Sequence, residues 1–408
     1  MRPLRVAQAD VLKGLPLLPT AEVPLADALG LVLSAPVVAP HPVPPFANSA
    51  MDGYAVRAAD VVEVPTALRV LEDVPAGRVA SQAVAPGTAI KIMTGAPLPA
   101  GADAIVRVED TSQDGETVTI RIGVPVGTSV RAAGGDVEQG STVLETGVRL
   151  GPAHIGVLAN LGVHSVAVRR RPRVALGSTG DELVSVDGPP LEPGQIRDSN
   201  RPMLAALLAE LGAEVIDLGK IADRADDLRQ ALDRGVERSD AIITSGGVSM
   251  GEYDVVKSVL SELGTVDFWQ VAMQPAKPFA FGRLGGRPFF GLPGNPVSSF
   301  VAFEQFVRPA LLRMMGAIRL FRPRLMGRSK VDLQTDPAKT VFVRVRTWME
   351  GEVRWAEPSG GQSSNVLSAV AAGDAFAVVE EGTGDINAGS TVMLEMHRWP
   401  EERTIDEL

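Results

Sequence analysis

The sequence predicts a multi-domain protein of the α/β-plus-β class. Three observations predict it. A strand–helix alternation runs from Pro172 to Gly316, the rhythm of a central parallel sheet with helices on both faces. Short β-rich runs separated by Gly, Pro and Asp turns occupy residues 54–147, and alternating strands return between 322 and 400. The chain has 408 residues, enough for roughly two to four domains.

Taken in order, "PLADALGLVLSAP" places Leu25, Ala28, Leu29 and Val32 on one helical face, interrupted by Gly30. Five prolines between Pro36 and Pro45 hold the next stretch extended, as in a linker between bodies. Runs such as Ala89–Met93, Ala104–Val108 and Thr117–Ile122 then read as strands of a small all-β domain. Arg169–Arg170–Arg171 reads as a solvated domain edge. Beyond it, "RVALGS", "EVIDLG" and "DAIIT" are buried strands. A helix capped by Ser199 or Asn200, with Pro202 in its first turn, runs to Gly212. "ADDLRQALDRGV" and "EYDVVKSVLSEL" are the next helices, and "PFAFGRLGGRPFFGL" is a hairpin turning at Gly285–Gly286. "NPVSSFVAFEQFVRPALLRMMG" is a long closing helix, and "KTVFVRVRTW", "EVRWAEP", "AFAVVE" and "STVMLEM" build a small C-terminal β domain.

Composition excludes several functions. The net charge of −10 argues against nucleic acid as the main partner, because phosphate-backbone binding needs a basic face. With no cysteine there is no disulfide, thiolate chemistry or Cys-ligated metal. His41, His154, His164 and His397 are scattered without ligand spacing. Nothing resembles a signal peptide or a membrane span, so a soluble cytoplasmic protein is expected.

Ligands of open α/β sheets bind beyond the carboxyl ends of the strands. The loops expected there are Ser178–Glu182, the stretch around Asp223, Ser245-Gly246-Gly247-Val248-Ser249, and Leu292-Pro293-Gly294-Asn295-Pro296. Gly246 and Gly247 let backbone approach a ligand, free N–H groups at the next helix start can hold a phosphate, and Ser245 and Ser249 add hydroxyl donors. A plain βα turn with a helix cap is the competing reading. Glu182, Asp254 and Asp223 would repel a phosphate unless a divalent cation lay between them, and Mg²⁺ is held by one or two carboxylates plus phosphate oxygens. Glu252 and Asp254 read alternatively as helix N-terminal caps. Upstream, Asp52 beside Gly53 reads by itself as an Asp-Gly turn. Thr94-Gly95 follows an apolar strand, and Arg131 and Asp136 flank two glycines.

"PPFANSAMDGYAV", "KIMTGAPLP", "STGDEL", "IRDSNRPML", "TSGGVSMGEYD", "KPFAFG", "GLPGNPVSSF" and "GQSSNVLSAV", in this order, resemble the molybdopterin molybdenumtransferase (MoeA) family, which includes the C-terminal domain of gephyrin. The resemblance covers nearly the whole chain. It implies an elongated, four-domain subunit forming a homodimer. Residues 1–50 and 141–171 would form a linking and dimerisation domain, 51–140 a β-rich domain, 172–320 a molybdopterin-binding-like α/β domain, and 321–408 a C-terminal β-barrel. It implies molybdenum cofactor biosynthesis: adenylylated molybdopterin and molybdate react, AMP leaves, and Mg²⁺ (or Zn²⁺) assists.

Carried over by motif, Asp52, Thr94, Asp136, Glu182 and Asp254 would be catalytic, with Glu182 and Asp254 on the metal. Arg131, Asp223, Ser245, Gly246, Gly247, Lys277, Pro293, Ser298, Arg344 and Ser364 would bind substrate or oxyanion. The resemblance also admits other proteins of the pathway as partners. One departure stands out. In "FWQVAMQPAKP" two family lysines are Gln270 and Gln274 and the family glycine is Ala276, which leaves Lys277. A paralogue preferring tungstate, and a gephyrin-like assembly protein without catalysis, are the alternatives. An intact Asp52, Glu182 and Asp254 speaks against the second.

Overall fold

The computed structural model describes residues 1–247 and 253–401, the first five residues of the second segment by backbone only. Ser249 and Glu252, and the side chain of Asp254, lie outside the described residues. Among the described residues no helix is long and apolar enough to cross a membrane.

The N-terminal helix is Leu4–Leu12, which buries Leu4, Ala7 and Val11 at helical spacing. The helix expected around Leu25–Val32 is instead one 3₁₀ turn, Leu25–Asp27, followed by the strand Val32–Leu33. Gly30 sits at φ +78° and reverses the chain there, so helical spacing cannot continue. Val32–Leu33 and Thr20–Pro24 flank Ser165–Arg169 in an antiparallel sheet, and Val37–Val38 pairs with Thr142–Leu144. Residues before the β-rich body are thus stitched to residues after it.

The β-rich body is a six-stranded sheet, in spatial order Ala104–Arg107, Gly53–Val56, Thr88–Ile92, Thr66–Val74, Thr117–Ile120 and Thr111–Asp114. Strand alternation supplies it with two cores. Tyr54, Val56, Ala89 and Val106 pack on one face; Ala55, Ile90, Ile92 and Ile105 pack on the other.

The α/β sheet runs Glu214–Ile221, Arg173–Thr179, Ala241–Ser245, Arg287–Leu292, Pro278–Leu284, Gly264–Gln270. The first four strands are parallel and the last two antiparallel. The expected hairpin supplies that antiparallel edge, with Gly285 at φ +51° and Gly286 at φ +79° in its two-residue turn. Helices cover both faces. Val174, Leu176, Ile243 and Phe290 meet the helix Asn200–Leu211 and the closing helix, while Ala175, Ile242 and Phe289 meet Ala225–Arg238 and Tyr253–Leu263. The closing helix is α-helical over Pro296–Ala302 and Arg308–Met314, with a π-helical segment, Phe303–Val307, between them. Pro309 lacks an N–H and its ring crowds the carbonyl four residues earlier, and the wider turn relieves both.

The C-terminal strands Arg324–Ser329, Thr340–Glu350, Val353–Pro358, Ala375–Val379 and Thr391–Met396 close into a barrel where Thr340–Glu350 pairs with both Val353–Pro358 and Ala375–Val379. Alternation turns Val341, Val343 and Val345 inward and leaves Phe342 and Arg344 facing out. Phe342 and Phe376 join the core that the N-terminal helix and the α/β sheet already share.

His397 is wedged in that junction, with its ring centroid 5.5 Å from Phe300 and 5.0 Å from Phe376. Burial drives its pKa down to about 4. The folded state therefore keeps it neutral, while the unfolded chain takes up its proton near pH 6.5. Stability is fully present above pH 6.5 and falls as pH drops from 6.5 towards 4, by on the order of 3 kcal/mol. Urea denaturation of wild type and His397→Leu at pH 7 and pH 4.5 checks this. The variant should lose less stability than wild type over that interval, and an equal loss would refute it.

Candidate active site

The second parallel strand, Arg173–Thr179, lies between Glu214–Ile221 and Ala241–Ser245. The chain therefore passes over it on the way from one neighbour to the other, which opens a crevice at the carboxyl ends. Register aligns Ser178 with Ser245 and Ser245 with Leu292, so the loops after three strands converge. A cleft of ≈590 Å³ lies there, walled by Thr179, Glu182, Asn200, Ser245, Gly246, Gly247 and Gly294 among others.

Gly246 is required by this convergence. It lies at φ +95°, its N–H donates to Leu292 O at 3.0 Å, and a Cβ on it would fall 2.5 Å from Thr179 O. Only a residue without a side chain fits, and its backbone is bared to the cleft. Asn200 ties the loops together: its Nδ2 donates to Ser245 Oγ at 2.8 Å and to Gly294 O at 2.6 Å. The expected side-chain caps are absent, since neither Ser199 nor Asn200 caps its helix with a side-chain hydrogen bond. The C-terminal expectation holds, with Gly212 left-handed at φ +89°. Ser245 is 2% exposed, and its hydroxyl accepts from Asn200 and reaches Pro293 O at 3.4 Å. Pro293 O also accepts from Ser299. Both residues therefore hold the loop in shape.

Asp223 lies against the acidic turn Asp181–Glu182. Its carboxylate accepts from Asp181 N at 3.2 Å, and its own N–H donates to Asp181 Oδ1 at 3.3 Å. Burial pushes its carboxyl up; the Asp181 N–H pulls it down, and the charges of Asp181 and Glu182 raise it again. Among the described residues no group of three or more His, Cys, Asp or Glu is arranged to hold a metal ion.

Three other groups of expected residues lie outside the cleft wall. In the β-rich body, Asp52 Oδ1 accepts from Thr94 N at 2.7 Å and from Thr94 Oγ1 at 2.8 Å. Those bonds, the backbone one foremost, hold the Asp52 carboxyl below the usual range. Arg131 is exposed on the short strand that pairs with Asn48, and exposed Asp136 is anchored by its N–H to Val43 O.

At the barrel junction, Arg344 is 2% exposed. Its Nη1 donates to Phe342 O at 3.1 Å and its Nη2 to Ser363 O at 3.5 Å, while its Nε has no partner among the described residues. Burial alone lowers its pKa to about 10. Gln274 and Gln362 share with it a second cleft of ≈390 Å³. Ser364 O accepts from Val297 N at 3.1 Å, which brings Ser364 beside the helix carrying buried Ser298. Lys277 is exposed, and its carbonyl accepts from Val271 N at 2.8 Å. Between Gln274 and Lys277, Ala276 is buried at φ +73°.

Sequence reasoning gave no ligand role to Thr179 or Asn200. Asn200 reads as a cap because Pro202 follows it, and only the fold brings Gly294 within its reach. Buried Asp198 was missed too. It accepts from Ser178 Oγ at 2.5 Å and from Arg201 Nε at 3.0 Å. The Arg201 bond is a local i,i+3 pairing, but nothing local marks the bond to Ser178, twenty residues away.

Three family models match in order along the chain: MoeA N-terminal region (domain I and II) over residues 2–162, "Probable molybdopterin binding domain" over 175–313, and MoeA C-terminal region (domain IV) over 327–395. The molybdopterin molybdenumtransferase of Haemophilus influenzae is 38% identical over 401 residues, covering 97% of this chain and 98% of that protein. The chain belongs to the molybdopterin molybdenumtransferase family. Membership makes it a transferase of molybdenum cofactor biosynthesis. Molybdopterin molybdenumtransferase 2 of Mycobacterium tuberculosis is 41% identical over 382 residues, covering 91% of this chain and 94% of that protein. A solved MoeA protein from Pyrococcus horikoshii superposes with TM-score 0.78 at 33% identity, covering 97% of this chain and 98% of that one.

Ala276 lies in a left-handed conformation that costs an L-residue about 1–2 kcal/mol. Ala276→Gly should therefore stabilise the protein, by up to about 1 kcal/mol after glycine's own entropy cost. Thermal denaturation would show a raised midpoint; an unchanged or lowered one would contradict the strain.

Proposed function

We propose that the chain joins molybdate to adenylylated molybdopterin. The phosphoanhydride is broken, molybdenum is placed on the dithiolene, and AMP is released. The observation that carries this reading is the cleft at the strand ends, where Gly246 presents bare backbone because no Cβ fits against Thr179. Backbone of this kind accommodates a phosphate without a side chain in the way.

Arg344 supports the oxyanion half. It is a buried cation whose described hydrogen-bond partners are backbone carbonyls, and an anion in the ≈390 Å³ cleft would supply the missing charge. Ser298, Ser364 and Lys277 belong to the same junction in this reading, with Gln274 donating hydrogen bonds where a lysine would carry charge.

The donor set around Asp181, Glu182 and Asp223 is carboxylate oxygen, which suits a hard cation such as Mg²⁺. Glu182, with Asp254 from the helix Tyr253–Leu263, would hold it. When bound, such an ion polarises the phosphoanhydride and offsets charge on its oxygens. Asp223, its carboxyl pushed up by burial and neighbouring charge, would recover its ordinary range beside a cation.

The Asp52–Thr94 pair, with Arg131 and Asp136, completes the site from the β-rich body of a second subunit in a two-fold homodimer. Residues 1–50 with 141–171, 51–140, 172–320 and 321–408 are the corresponding domains, and the site operates in the cytoplasm.

The purified protein should release AMP from adenylylated molybdopterin only with a divalent cation and molybdate (or tungstate) present. Glu182→Gln should lower turnover with an unchanged melting profile. Release at the same rate without oxyanion would leave a hydrolase instead of a transferase. Sharing between subunits has its own test. Asp52→Ala and Glu182→Gln proteins, each nearly inactive, are refolded together so that roughly half the dimers are mixed. One site per mixed dimer is then intact, and about a quarter of wild-type activity should return. If mixed dimers form and no activity returns, each site is built from one chain.

A further inference from the structure

Two buried polar atoms of residues lining the strand-end cleft hold no hydrogen bond among the described residues. Thr179 is 7% and Asn200 8% exposed. Thr179 Oγ1 and Asn200 Oδ1 have no hydrogen-bond partner among the described residues, and both residues line the ≈590 Å³ cleft. Leaving a buried polar atom unpaired is costly, and native proteins pair the great majority of them.

The orientation of Asn200 follows from its partners. Gly294 O can only accept, so the atom 2.6 Å from it is the amide nitrogen. The same nitrogen serves Ser245 Oγ. The opposite atom is therefore an acceptor, fixed in place and without a donor. Thr179 Oγ1 abuts the same Ser245–Gly246 step, since a Cβ on Gly246 would come within 2.8 Å of it.

The amide oxygen of Asn200 repels the anionic oxygens of a phosphate and demands an N–H or O–H, whereas the Thr179 hydroxyl can accept or donate. The cleft thus has two chemistries: bare backbone at Gly246–Gly247, and an unmet acceptor at Asn200 beside an unmet hydroxyl at Thr179. We propose that Thr179 Oγ1 and Asn200 Oδ1 are specificity determinants for the neutral heterocyclic end of the ligand, pterin or adenosine: Asn200 Oδ1 receives an N–H or O–H from it and the Thr179 hydroxyl hydrogen-bonds it, while the phosphates lie against the glycines. This rests on the cleft being the substrate site.

Thr179→Val is the sharpest probe, because it keeps the shape and removes an atom that has no hydrogen-bond partner among the described residues. Affinities for AMP, neopterin and inorganic pyrophosphate are measured by calorimetry, together with the thermal midpoint. The expected result is a midpoint equal to or above wild type and about 10-fold weaker binding of AMP or neopterin, with pyrophosphate unchanged. Weakening of AMP alone assigns the wall to adenosine, and of neopterin alone to the pterin. Asn200→Ala also releases Ser245 and Gly294, so it is read as a ratio: affinity for the responding ligand should fall about 10-fold further than affinity for pyrophosphate. Unchanged affinities, a loss for pyrophosphate alone, or a lowered midpoint with all three ligands weakened equally would each overturn the proposal. If wild type binds pyrophosphate but neither AMP nor neopterin, the substrate reading of the cleft fails, and this assignment falls with it.

Discussion

Because one face of the α/β sheet, the N-terminal helix and the outward residues of the barrel bury their apolar side chains in a single cluster, three bodies that could have been independent are held as one. Phe279 stacks on Phe306 at 4.3 Å, and Phe300 and Phe342 meet Phe376 edge-on. Aromatic pairs of this kind bury much area and tolerate few geometries. The strand-end loops and the Arg344 junction are placed by this core. The β-rich body, with cores of its own, is tied to the rest mainly through strand pairs at its two ends.

Much of this architecture was legible because it is local. The alternating run Thr340–Glu350, the unbroken apolar run that opens Ala241–Ser245, the Gly285–Gly286 turn and the Gly212 cap are decided within a few residues. Strand-end logic likewise drew Ser245, Gly246, Gly247 and Glu182 to one place without knowledge of the sheet order. The failures came where distant chain segments decide. Leu25–Val32 carries helical spacing, yet the strand partner that claims Val32–Leu33 is Ser165–Arg169, more than a hundred residues away. Asn200 carries a cap signature, yet Gly294 and Ser245 take its amide. The edge strand Gly264–Gln270 was missed as a strand, although exposed Thr265 and Asp267 alternate with half-buried Val266 and Phe268.

Several residues that break ordinary rules of folding stand at the two clefts, although Asn48 Oδ1 and His397 Nε2 are also buried without a partner among the described residues, away from them. A buried guanidinium without a described carboxylate, two buried oxygens without donors and an alanine in a left-handed turn all stand within or beside them. Elsewhere charge is paired in the usual way. Asp240 receives both guanidinium nitrogens of Arg170 at 2.6 Å, and Glu304 receives Arg322 at 2.9 and 3.0 Å. Such concentration of local violations is what a ligand-ready surface looks like before its ligand arrives.

The π-helical segment at Phe303–Val307 is equivalent to one surplus residue in an otherwise regular α-helix, and here that surplus falls between two partners that must both be served. Glu304 faces Arg322, while Gln305 lies between Gln8 of the N-terminal helix and Glu395 of the barrel. The following aromatic, Phe306, stacks on Phe279, so three consecutive residues of this wide turn serve three partners. A shortened version of this helix would have to surrender one of the three attachments. The length of the segment is therefore fixed by the three attachments it serves, and losing one residue here would reach the N-terminal helix, the α/β sheet and the barrel together.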